Sequence, residues 1–150
     1  MEERVEKAVE LFKSGYNCSQ SVVAAFADMY GFDQEQALRM AASFGGGIGR
    51  MRETCGAACG MFLLAGLENG AVEATDRQGK AANYALVQEL AEEFKKRNGS
   101  MICAELLGLR PKENMTSQPE ERTTQYYAKR PCAKMVEEAA RIWVEHIEKK

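Results

Sequence analysis

Five cysteines, Cys18, Cys55, Cys59, Cys103 and Cys132, are the residues of this 150-residue chain best suited to chemistry. A thiolate can ligate a metal or attack a disulfide, and a helix N-terminus favours it through unpaired N–H groups and a positive dipole end. Helical periodicity places Cys18, Cys55, Cys103 and Cys132 each within the first turn or so of its own helix and on that helix's apolar stripe. Four helices sharing one core can therefore bring four sulfurs together. Cys59 lies one turn after Cys55 on the same face and reads as the spare. A single buried cysteine is most simply a small hydrophobe. Five of them, four at helix starts, point to chemistry instead.

Spacing alone does not name that chemistry. There is no Cys-x-x-Cys pair, so neither a zinc ribbon nor a thioredoxin-type motif is signalled, and the separations between the helix-start cysteines are all long. The single histidine, His146, lies far along the last helix and reads as a surface residue near a helix C-terminus, not as a partner in a Cys/His zinc site. The segment Gly45-Gly46-Gly47-Ile48-Gly49 follows a helix and lacks a P-loop ending, so it is no nucleotide fingerprint. It leads into Arg50, Arg52 and Cys55. Gly46 and Gly47 can bring bare backbone close to a cofactor or substrate, and Arg50 and Arg52 add positive potential that favours thiolates. The glycines of Cys55-Gly56-Ala57-Ala58-Cys59-Gly60 cost about 1 kcal/mol each in a helix relative to alanine. Close approach of another helix or of a cofactor would offset them.

The elements that position these residues are all helical. Val5, Ala8, Val9 and Phe12 mark a first helix ending near Ser14-Gly15; Asn17 caps a second, closed by Gly31, and Asp33 a third running through Ala42. Thr54 is the expected cap of the fourth helix. The longest runs from about Asp76 to Arg97, with Tyr84, Val87, Leu90, Ala91 and Phe94 inward. Ser100 is the expected cap of a short helix carrying Cys103, and Pro131 opens the last. Between Arg110 and Lys129 the chain is polar and interrupted by Pro111 and Pro119, which reads as a long surface connection and a candidate lid. No segment alternates with the period of a strand. The expectation is an all-α compact bundle of about six to seven helices forming one domain over residues 1–150, with cysteines at helix N-termini.

Composition narrows the partners. The formal charge is -2, with acids and bases interleaved, so no basic stripe exists to attract nucleic acid. No stretch approaches the roughly 18 apolar residues needed to span a bilayer, and the N-terminal residues alternate in charge, which favours a cytoplasmic protein without a membrane span. There, structural disulfides are rare. A redox partner protein is implied, and a homo-oligomer is left open.

The order of these motifs resembles a family named for a C...GCAxxG...C...C pattern and described as redox-active. The pattern runs through Cys18, Cys55-Gly56-Ala57-Ala58-Cys59-Gly60, Cys103 and Cys132, with Gly15-Tyr16-Asn17-Cys18-Ser19-Gln20 and the Phe44-Gly-Gly-Gly loop similar as well. More distantly, the cysteine pattern is similar to that of split-Soret cytochromes, in which it accompanies haem and an iron–sulfur centre. No Cys-x-x-Cys-His sequence is present, so covalent haem does not carry over. The resemblance implies a redox role. The four helix-start cysteines supply the full ligand set of an iron–sulfur cluster for electron transfer, with zinc or no metal as alternatives. A thiol–disulfide oxidoreductase using Cys55 with Cys59, or with a cysteine from another helix, is the second reading, and an interaction module with inert cysteines the third. The paired glutamates Glu92-Glu93 and Glu137-Glu138 read as solvated faces.

Overall fold

A computed structural model describes residues 1–149. The chain forms eight α-helices there, six of seven residues or more: α1 (Glu2–Lys13), α2 (Cys18–Ala24), α3 (Gln34–Ala41), α4 (Gly56–Asn69), α5 (Arg77–Asn98), α6 (Cys103–Leu107), α7 (Thr124–Lys129) and α8 (Cys132–Glu148). Short 3-10 turns at Ala27–Tyr30 and Ala42–Phe44 extend α2 and α3. No strand forms among the described residues.

Local sequence explains most boundaries. Asn17 and Asp33 each close a reciprocal capping box, with Gln20 and Gln36 respectively. Asp76 caps α5 through the Gly79 N–H, and Gly99, left-handed at φ 88°, ends it. Two caps differ from expectation. Cys55 itself, not Thr54, is the N-cap of α4. Ile102, not Ser100, precedes α6, while the Ser100 hydroxyl accepts from the Ile102 N–H and donates to Glu105. Both shifts arise because the two segments pair with each other: Thr54 and Ile102 form an antiparallel bridge.

Helix α4 is the centre of the molecule. Residues 56–61 are buried all round, between α2, α5 and α8. The two glycines are required by α2: a Cβ at Gly60 would lie 2.8 Å from the Val22 Cβ, and one at Gly56 would lie 2.8 Å from the Phe44 carbonyl oxygen and 3.3 Å from the Cys18 Cβ. Helix–helix approach thus answers what offsets their propensity cost. Val5, Phe12, Val22, Phe26, Met61, Leu64, Phe94, Val136 and Trp143 complete the main core. A smaller cluster of Val23, Ala24, Ala27, Ala37 and Ala41 lies between α2 and α3. Tyr84, expected inside, is 60% exposed. In α5 the inward stripe runs through Leu86, Leu90, Ala91 and Phe94, one position away from the Tyr84 register. His146 is half-buried, with its ring 5.0 Å from that of Trp143, and so is not a plain surface residue.

Candidate functional site: a four-cysteine cavity

Cys18, Cys103 and Cys132 are the first residues of α2, α6 and α8, and Cys55 caps α4. Two backbone devices bring these helix starts together. The first joins Cys55 to Cys103: the Cys55 N–H donates to the Met101 carbonyl at 2.7 Å, and the Cys103 N–H to the Glu53 carbonyl at 2.6 Å. The second is the packing of α8 against α1 and α2, which sets Cys132 beside Cys18 so that the two thiols influence each other's ionisation. All four cysteines line one cavity of about 400 Å³. Cys59 does not line it; its thiol turns toward the Thr54 carbonyl, 3.8 Å away. Cys59 therefore lies outside the cavity that Cys18, Cys55, Cys103 and Cys132 line.

The glycine-rich segment forms the cavity's second wall. Gly46, Gly47, Ile48, Gly49 and Arg50 all have positive φ, between 56° and 75°, and form a left-handed turn. For the β-branched Ile48 that geometry is strained, and such strain persists only where surrounding structure imposes it. Imposition comes from the ladder of N–H donations by Ile48, Gly49, Arg50, Arg52 and Glu53 back to the carbonyls of residues 43–47. These N–H groups are thereby used within the loop. Gly47 is obligatory: a Cβ there would lie 2.5 Å from that of Cys103. Gly46 also lines the cavity, folded over Arg50.

The third wall is the connection from residue 109 to 130, and the residues it contributes were not legible in the sequence. Arg50 reaches up to it, donating to the Thr116 and Gln118 carbonyls and to the Asn114 side chain. Arg52, only 7% exposed, donates to the Asn114 carbonyl and points Nη1 at the Cys103 sulfur, 3.7 Å away. Glu120 accepts from Arg50, Asn114 and Arg130. Arg122 donates to the Phe12 and Tyr16 carbonyls and lies 4.4 Å over the Phe12 ring. The only sequence signal for these roles was the recurrence of arginine among aromatics just before Pro131.

Burial and hydrogen bonding divide the thiols. Cys132 is lowered to about 7: the Cys18 hydrogen bond favours its thiolate, burial opposes, and Arg130, Arg122 and Arg52 add their charge. Cys18, the donor, is pushed far up by that same bond and by burial. Burial pushes Cys55 up to about 12 although the Ala58 and Ala57 N–H groups reach its sulfur, and Cys59 up to about 11. It raises Cys103 as well, partly offset by Arg52. All four helix-start cysteines were candidate thiolates. Of these Cys132 is the one lowered, whereas at Cys18, Cys55 and Cys103 burial outweighs the helix-end effect, even with Arg52 beside Cys103.

The molecule is thus an all-helical protein with four cysteines around one arginine-lined cavity. Residues 16–146 match the model of a family described as "Putative redox-active protein (C_GCAxxG_C_C)", and the chain belongs to that family. No curated protein and no solved structure matches it. Among the described residues, no group of three or more His, Cys, Asp or Glu side chains is arranged to hold a metal ion, and no helix is long and apolar enough to cross a membrane.

Proposed function

We propose that the protein is a thiol–disulfide redox protein in which Cys132 is the attacking thiolate and Cys18 the resolving thiol. The observation that carries this reading is that Cys18 and Cys132, each opening a helix, line one cavity with room for a substrate. A thiolate with pKa near ambient pH combines a large ionised fraction with retained nucleophilicity. Arg130, Arg122 and Arg52 stabilise that form, whereas Cys18 stays protonated until it is needed. Cys55 and Cys103 line the same cavity. The test is peptide mapping after one equivalent of oxidant: a Cys18–Cys132 disulfide is expected, and Cys132→Ser and Cys18→Ser each abolish it, whereas Cys59→Ser does not. Oxidation confined to other cysteines overturns the assignment.

A second reading is favoured by a different observation, the presence of four cysteines on one cavity. That donor set suits an iron–sulfur cluster, held by Cys18, Cys55, Cys103 and Cys132, which would supply one-electron transfer. Arg52 beside Cys103 and the glycine loop would then tune its potential. Anaerobic reconstitution with iron and sulfide tests this reading. Visible absorption that is lost in each of the four Cys→Ser variants supports it, and a colourless, iron-free protein sinks it. Zinc is a weaker reading, because a single ion needs the thiols gathered on one point.

A further inference from the structure

The charge on the cavity walls is unbalanced. Four guanidinium groups, of Arg50, Arg52, Arg122 and Arg130, face a single carboxylate, Glu120, which Arg50 and Arg130 share. Arg52 is almost wholly buried and has no carboxylate partner among the described residues; it bonds a carbonyl and a thiol. Arg122 likewise meets only backbone carbonyls, the Tyr127 hydroxyl and aromatic rings. Buried charge is normally paired. One thiolate at Cys132 supplies only part of the missing negative charge.

We infer that the cavity takes a small anionic disulfide, whose carboxylate-like ends supply the missing counter-charges at Arg52 and Arg122. A cavity volume of about 400 Å³ lies in the range of small-molecule sites. Phe12, Leu106, Pro119 and Met135 give the methylene spacers of such a ligand an apolar wall. The inference rests on the exchange reading above. Cys132 attacks one sulfur of RS–SR′, forming Cys132–S–S–R while R′S⁻ leaves and takes up the proton that Cys132 had released. Cys18 then loses its proton and attacks the Cys132 sulfur, closing the Cys18–Cys132 disulfide and releasing RS⁻, which becomes RSH. The substrate is reduced by two electrons and the cysteine pair oxidised by two.

Two measurements separate the inference from the reading beneath it. The first, calorimetric binding to the reduced protein, uses adipate, which has the shape of dithiodiglycolate without its sulfurs, and hexanediol as its neutral analogue. Adipate should bind at least about tenfold more tightly than hexanediol, and Arg52→Gln should remove the difference. Arg122→Gln serves as a second variant should Arg52→Gln fail to fold. The second measurement compares oxidation of Cys132 by dithiodiglycolate, hydroxyethyl disulfide and cystamine, each rate divided by that of a free model thiol. The order anionic, neutral, cationic should span about tenfold or more. Equal normalised rates without adipate binding overturn the anionic substrate but leave exchange standing. Adipate binding with no oxidation of Cys132 overturns exchange, and the disulfide with it, and marks the cavity as an anion site only.

Discussion

Cys18 and Cys132 line the same cavity, although 114 positions separate them, because each residue opens a helix, α2 and α8, that packs against the other. Hydrogen bonding from Cys18 is the first cause that lowers the Cys132 thiol, against the burial that raises the other four. Charge-assisted hydrogen bonds are worth about 1.5–3 kcal/mol, and each pKa unit corresponds to about 1.4 kcal/mol. Replacing Cys18 with alanine should therefore raise the Cys132 pKa by about one to two units. Alkylation rate against pH, read at the Cys132 peptide, checks this; an unchanged midpoint near neutrality would transfer the effect to the arginines.

Stability should fall in alkaline solution. Cys55, Cys59, Cys103 and Cys18 all have folded pKa values above the ordinary 9.0. Their stabilising effect is complete below that value and is lost as pH rises, because the unfolded chain releases protons that the folded chain keeps. Cys132 has the opposite sign, contributing above 9.0 and losing its contribution as pH falls through about 7. The raised thiols outnumber it, so the urea midpoint should decline above about pH 9, by as much as about 1.4 kcal/mol per pH unit for each thiol fully ionised on unfolding. A Cys59→Ala variant should show a shallower decline.

Glycine substitutions should separate by position. Gly47→Ala combines a positive φ of 75° with a contact at 2.5 Å to Cys103 and should destabilise by about 2–4 kcal/mol while moving Cys103. Gly66→Ala, inside α4 with nothing within 4 Å of its added Cβ, should stabilise by about 0.4–1 kcal/mol. Thermal or urea unfolding of both variants reads the difference directly.

The polar connection is fastened through Glu120, which accepts from Arg50, Asn114 and Arg130. Half-exposed ion pairs are individually weak, at about 0.2–1 kcal/mol. Glu120→Ala should leave global stability nearly unchanged while raising tryptic cleavage at Lys112 and Arg122 roughly threefold to tenfold through local opening. A protease time course at constant temperature measures it.

Helices were legible because capping residues and apolar periodicity are local properties. Asn17, Asp33, Asp76 and Gly99 act where their types direct, and the Asn17 cap sets Cys18 at the start of α2. What the sequence did not expose was long-range. Cap shifts at Cys55 and Ile102 follow from a pairing between segments nearly fifty residues apart. The Cys18–Cys132 partnership depends on which helices pack together, and local spacing favoured Cys55 with Cys59 instead. Arg122 and Arg130 lie in a segment without periodicity, where only the folded chain reveals that they face the thiols.

The most direct measurement is the location of the disulfide formed when the reduced, folded protein is titrated with one equivalent of a small oxidant and then trapped at low pH. A bond between Cys18 and Cys132, with Cys55, Cys59 and Cys103 still alkylatable after unfolding, is the predicted result. A bond between any other pair, or a Cys132 that stays reduced while other thiols oxidise, would contradict the assignment of Cys132 as the nucleophile.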